Sequence, residues 1–168
     1  MQRLAIAALV LAACGTSDDQ RPLNLDYITE TILAPSCGAA QCHSTFKQAA
    51  GFVFDTIDGA RAAFQNDRKL FEGDERPGLI FNLTLEQAGA PRMPYDAPLP
   101  DVDIALIEKW MKAGAPGVCN TGATGCLDGY AVDCVIVNGQ PGAYKLEQLT
   151  PKNDCVAQGM RCVNGLCR

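Results

Sequence analysis

The chain has 168 residues, nine cysteines, a single histidine and a formal net charge of −5. Acidic residues predominate and no Lys/Arg cluster occurs, which argues against a nucleic-acid partner. No P-loop, GxGxxG, GxSxG or HExxH arrangement is present, so nucleotide-binding and hydrolase readings lack support.

The chain begins with one basic residue, Arg3, and an apolar run from Leu4 to Ala13. The run is too short to span a bilayer as a helix, and its flanks suit a signal peptide over residues 1–13. It ends in Leu11-Ala12-Ala13-Cys14, which resembles a bacterial lipobox, with Cys14 as the lipid-bearing first residue of the mature chain. Residues 14–24 are polar and read as a lipidated, flexible tether. Acyl chains there would hold the exported protein at the bacterial cell envelope, facing the periplasm or the cell surface.

Residues 25–118 read as a helical domain. Asp26 is placed to cap a helix starting near Tyr27, with Ile28, Ile32 and Leu33 on one face. Pro35 is expected to end that helix. Next comes Ser36-Cys37-Gly38-Ala39-Ala40-Gln41-Cys42-His43, which contains the only histidine. Two thiols followed at once by an imidazole match the way a c-type haem is fixed: thioethers from both cysteines and an axial bond from the histidine. The usual spacer has two residues and this one has four, with Gly38, Ala39 and Ala40 small enough to bulge. An ordinary Cys37–Cys42 disulfide is the competing reading.

Gly51 to Phe54 is a short extended piece whose two aromatics suit either a cofactor wall or plain core. Asp55 or Thr56 caps a short helix through Ala60 to Phe64. Residues 65–77 are charged and read as a loop, and Leu79, Ile80 and Leu83 form a further helical turn or two. In Gly89-Ala90-Pro91-Arg92-Met93-Pro94-Tyr95 two prolines stiffen the backbone around Met93. Its thioether is either a soft ligand for a metal or a packed gap filler. The clearest helix runs over residues 101–113, with Ile104, Ile107, Trp110 and Met111 as its apolar stripe and Gly114 at its end.

Residues 119–168 hold Cys119, Cys126, Cys134, Cys155, Cys162 and Cys167. Fifty residues make a poor core, so three disulfides in a small module are expected, with the pairing open. Zinc is disfavoured because no histidine remains and no CxxC pair occurs. Residues 131–137 have strand character, 138–142 form a turn, and 143–149 return as the partner strand. Asn164-Gly165 marks a second tight hairpin.

Taken together, the first helix, the Cys37/Cys42/His43 motif, Arg92-Met93-Pro94 and the stretch PLPDVDIALIEKWMKAGAP resemble a class I-like monohaem cytochrome c domain. The resemblance covers about 90 of the 168 residues. It implies a mainly α fold, a cytochrome c-like helical haem domain, followed by the disulfide-rich β-hairpin module. It also implies one haem c per chain, attached at Cys37 and Cys42, with His43 and Met93 as axial ligands of the iron and Arg92 near a propionate. The implied function is electron transfer to redox protein partners rather than enzyme catalysis. A haem enzyme needs an open iron position and a distal acid–base group, and with His43 on the iron no histidine is left for that task. The alternative is a haem-free, disulfide-rich binding or structural lipoprotein.

Overall fold

The computed structural model describes residues 19–66, 68–71, 78–84 and 92–168. The signal peptide, Cys14 and the Gly89–Pro91 half of the methionine loop lie outside the described residues. Among the described residues no helix is long and apolar enough to cross a membrane.

The first helical stretch has three parts: α1 (Leu25–Ile28), a π turn (Thr29–Leu33) and α2 (Ala34–Cys37). Asn24, not Asp26, is the cap, its Oδ1 accepting from Tyr27 N at 2.8 Å. Pro35 does not end the helix, which continues to Cys37. Proline lacks an N–H and crowds the carbonyl of the preceding turn. The wide turn just before it, in which Ala34 N donates to Thr29 O, takes up that defect. The stretch expected to be a loose tether is fastened at Arg21, which pairs with Asp19 and Asp103 and donates to Val102 O.

Helix α3 (Ile57–Asn66) starts at Thr56, whose hydroxyl accepts from Gly59 N at 3.1 Å. Helix α4 (Arg68–Phe71) lies inside the expected loop, and α5 (Gly78–Thr84) buries Leu79, Ile80 and Leu83. Helix α6 (Asp101–Lys112) buries Leu106, Ile107, Trp110 and Met111, while Ile104 is only half-buried. Gly114, at φ +85, follows it and lies so close to Tyr144 that a Cβ would stand 2.3 Å from the Tyr144 carbonyl oxygen.

Beyond residue 118 the chain forms two sheets. Strands β1 (Thr124–Leu127), β2 (Tyr130–Val137) and β3 (Gln140–Tyr144) make an antiparallel sheet in that order. Strands β4 (Cys162–Val163) and β5 (Leu166–Cys167) make a separate hairpin. Both tight turns, Asn138-Gly139 and Asn164-Gly165, carry positive φ at two successive residues, which matches the right-handed twist of the strands they join. The first turn is shorter than expected, because Gln140, Pro141 and Gly142 already belong to β3. Residues 146–148 turn as a 3-10 helix instead of extending that strand.

The two parts share one core. Leu127, Val132 and Tyr144 from the sheet join Phe64, Ile80, Leu106 and Trp110 from the helices in a single buried cluster. The architecture is therefore mixed α and β, and the expected mainly α fold is corrected. The helices are short, and the sheet supplies part of the hydrophobic interior that a wholly helical domain would need to build for itself. A cytochrome c-like domain also requires its first and last helices to pack on each other. Here the larger contacts of α1 outside its own continuation are with α3, and those of α6 are with α5.

Candidate functional site

Cys37 ends α2 and is half-buried against the core, whereas Cys42 is exposed. Between them the chain folds back on itself. Cys42 N donates to Ala39 O at 2.8 Å, and His43 N donates to Cys37 O at 3.0 Å. That second bond closes the four-residue spacer into a local loop, so its extra length does not separate the start of the motif from the histidine. Gly38 permits the fold-back sterically. A Cβ there would stand 2.7 Å from Ala34 O and 2.9 Å from the Cα of Asp55.

Both motif cysteines are free thiols. Burial, helped by the neighbouring Cys42 charge, pushes the Cys37 thiol up to about 11. Desolvation disfavours the Cys37 thiolate, whereas Cys42 is the exposed member of the pair.

His43 is held on three sides. Its Nδ1 lies 2.9 Å from Ala49 O. A carbonyl only accepts, so Nδ1 carries the proton and the lone pair of the neutral ring is on Nε2. A metal-ligating histidine is commonly oriented by such a bond to its other nitrogen. The ring meets Phe52 and Phe54 edge-on, at centroid distances of 5.8 and 5.3 Å, and those two rings stack on each other at 5.7 Å. Phe54 is buried core and Phe52 is packed partly against it, so this pair joins the core to the histidine. Asp55 braces the next turn, its Oδ2 accepting from Thr45 N at 2.8 Å and from the Thr45 hydroxyl at 2.9 Å. Sequence reading missed this strut, although the carboxylate directly follows Phe54.

The structure thus brings Cys37, Cys42 and His43 together. Met93 sits elsewhere in the chain, half-buried, and its amide donates to Asn82 O at 2.9 Å, which fastens it to α5. No hydrogen bond joins it to the Cys37–His43 loop among the described residues. Beside it, Arg92 Nε is buried with no hydrogen-bond partner.

The six remaining described cysteines form Cys119–Cys134, Cys126–Cys162 and Cys155–Cys167, with S–S distances of 2.05, 2.12 and 1.99 Å. The three disulfides expected from the sequence are therefore present, and their pairing is now assigned.

Comparison with protein-family models, with curated proteins and with solved structures gave no match. Among the described residues no three His, Cys, Asp or Glu side chains form a group able to hold a metal ion. The resemblance of residues 25–118 to a class I-like cytochrome c domain is accordingly withdrawn. It rested on short elements in a familiar order, and neither the helix packing nor any relative supports it.

Proposed function

We propose that the Cys37–His43 loop attaches one haem covalently and that the protein is an electron carrier. The observation that carries this reading is the meeting of two unoxidised thiols with an imidazole whose Nδ1 is already committed to Ala49 O. The other six described cysteines are paired, so these two stand apart as reactive groups. The fold need not be that of a known haem family for this chemistry, because sites are grafted on folds. The chain would need to supply only covalent attachment and donors to the iron.

The thiols and the oriented imidazole of the Cys37–His43 loop suit the group. Each thiol would add across one vinyl group, with sulfur bonding one carbon and the thiol proton going to the other. His43 Nε2 would be one protein donor to the iron, and the Met93 thioether would be the second. The unpartnered Arg92 Nε suits a carboxylate such as a propionate. Phe52 and Phe54 meet the imidazole edge-on and would hold it in place. When bound, haem supplies a one-electron ferric/ferrous couple. With both donors on the iron, the group would suit transfer to redox protein partners rather than substrate chemistry. The tail disulfides accord with an oxidising compartment, and Cys14 remains the proposed lipid anchor at the cell envelope.

The test is to export the chain in a host able to attach haem and to extract the purified protein with acid acetone. Retained visible absorbance is expected, with Cys42→Ala losing more haem than Cys37→Ala, since Cys42 is fixed directly to His43. Complete extraction of haem from the unmutated protein, or a Cys37–Cys42 disulfide in its place, would favour the haem-free binding lipoprotein.

A further inference from the structure

A second site lies in the stapled half of the molecule. A cleft of about 490 Å³ opens where the end of α3, strand β1 and the β4–β5 hairpin meet. Gln65, Asn120, Thr124 and Asn164 border it, with Val163 on the rim and Tyr144 beneath. Two disulfides, Cys119–Cys134 and Cys126–Cys162, stiffen its walls.

Its construction depends on close approaches. A Cβ on Gly125 would stand 2.9 Å from the Tyr144 ring, and one on Gly165 would stand 2.4 Å from the Thr124 backbone. The Tyr144 hydroxyl is engaged, donating to Cys126 O at 2.6 Å, and burial pushes its pKa up, so it stays neutral. The rim keeps unused hydrogen-bonding capacity. Gln65 donates Nε2 to Val118 O at 2.9 Å, which leaves its carbonyl oxygen as an acceptor. The side chains of Asn120, Thr124 and Asn164 have no hydrogen-bond partner among the described residues.

Among the described residues, no Asp, Glu, Lys, Arg or His borders this cleft. The described lining, with its amide, hydroxyl and apolar groups, suits an uncharged ligand. Amide and hydroxyl side chains offer donors and acceptors together, which matches adjacent sugar hydroxyls. A peptide fits less well. The outer edge of β1 is covered by the β4–β5 hairpin, with Gly165 N at 3.4 Å from Cys126 Sγ, so no strand can add there. Apart from Val163, the rim offers little to hold an apolar anchor residue.

We propose that this cleft binds an uncharged oligosaccharide, independently of any haem. The probes are maltotetraose and chitotetraose, titrated into the mature chain and followed by amide NMR shifts. Saturable shifts at Asn120, Thr124 and Asn164 are expected with at least one probe. The Asn120→Ala/Asn164→Ala variant should bind at least about tenfold more weakly, as lost polar contacts imply. Thr124→Val gives a second, less disruptive variant and should also weaken binding. A chitosan tetramer and a galacturonate tetramer, both charged, should bind more weakly than the neutral probes. The proposal is overturned if neither neutral probe shifts these residues, if the variants bind as well as the parent, or if a charged probe or a neutral tetrapeptide binds the cleft as tightly.

Discussion

Trp110 donates its indole Nε1–H to Pro116 O at 3.0 Å, and the same oxygen accepts from Leu25 N at 2.9 Å. One carbonyl thus ties α6 to the first residue of α1. Trp110→Phe removes one donor and part of the ring's packing against Phe64, whose centroid lies 4.9 Å away. A loss of about 1–3 kcal/mol is expected, against about 3–5 kcal/mol for Trp110→Ala. Urea unfolding followed by circular dichroism would measure both, and equal losses would mean that the ring packing kept by Phe adds little beyond Ala.

The thiols of the unattached protein should differ in reactivity. With Cys37 lifted from its ordinary 9.0 to about 11, iodoacetamide at pH 8 should modify Cys42 first. The folded state holds the Cys37 proton more tightly than the unfolded state does. This contribution to stability is complete below about pH 9 and declines as pH rises toward 11. Cys37→Ala should flatten the stability profile in that window, and an unchanged profile would place the thiol in a wetter site.

In haem-loaded protein, Met93→Ala should lower the reduction potential and admit carbon monoxide to the reduced iron. A thioether ligand favours the ferrous state, and its removal opens a coordination position. The Met93 backbone bond to Asn82 O is retained in the variant, so the loop should keep its fastening. Rapid carbon monoxide binding by the unmutated protein, unaffected by the substitution, would remove Met93 from the iron.

The disulfides should rank by the loop each one closes. Sequence separations are 36 for Cys126–Cys162, 15 for Cys119–Cys134 and 12 for Cys155–Cys167. A chain-entropy account gives about 4 kcal/mol for the first and about 3 kcal/mol for each of the others. Paired Cys→Ala variants compared by thermal unfolding would test the order. A larger cost for Cys155–Cys167 would point to packing rather than loop closure as the main source of stability.

The helix over residues 101–113 was legible in the sequence because its stripe, acidic start and glycine stop all agree. Leu79, Ile80 and Leu83 were read correctly as helical, and the Asn164-Gly165 hairpin followed from turn chemistry. Other features depend on contacts distant in sequence. Pro35 looked like a helix end because a π turn leaves no periodic signature. Strand β1 was missed: Thr124-Gly125-Cys126-Leu127 alternates too briefly to register, and Gly125 is explained only by the Tyr144 ring beside it. At the candidate site the residue types were visible from the start. The loop closure by His43 N and Cys37 O, and the fixed tautomer of His43, depend on backbone contacts that residue spacing does not encode. The family resemblance failed because the order of short helices says little about which of them pack together.

Tyr144 lies between Cys134 and Cys155 in sequence, is 1% exposed, and its amide donates to Gly114 O at 2.7 Å, just beyond α6. The helical residues therefore cannot complete their interior until the last third of the chain has arrived and oxidised. Under thiol-reducing conditions the chain should stay open, with His43 unfixed, since the shelf formed by Phe52 and Phe54 rests on the same interior. Closing the sulfur bridges would then set the order of events, with oxidation coming first and the imidazole loop taking shape only afterwards.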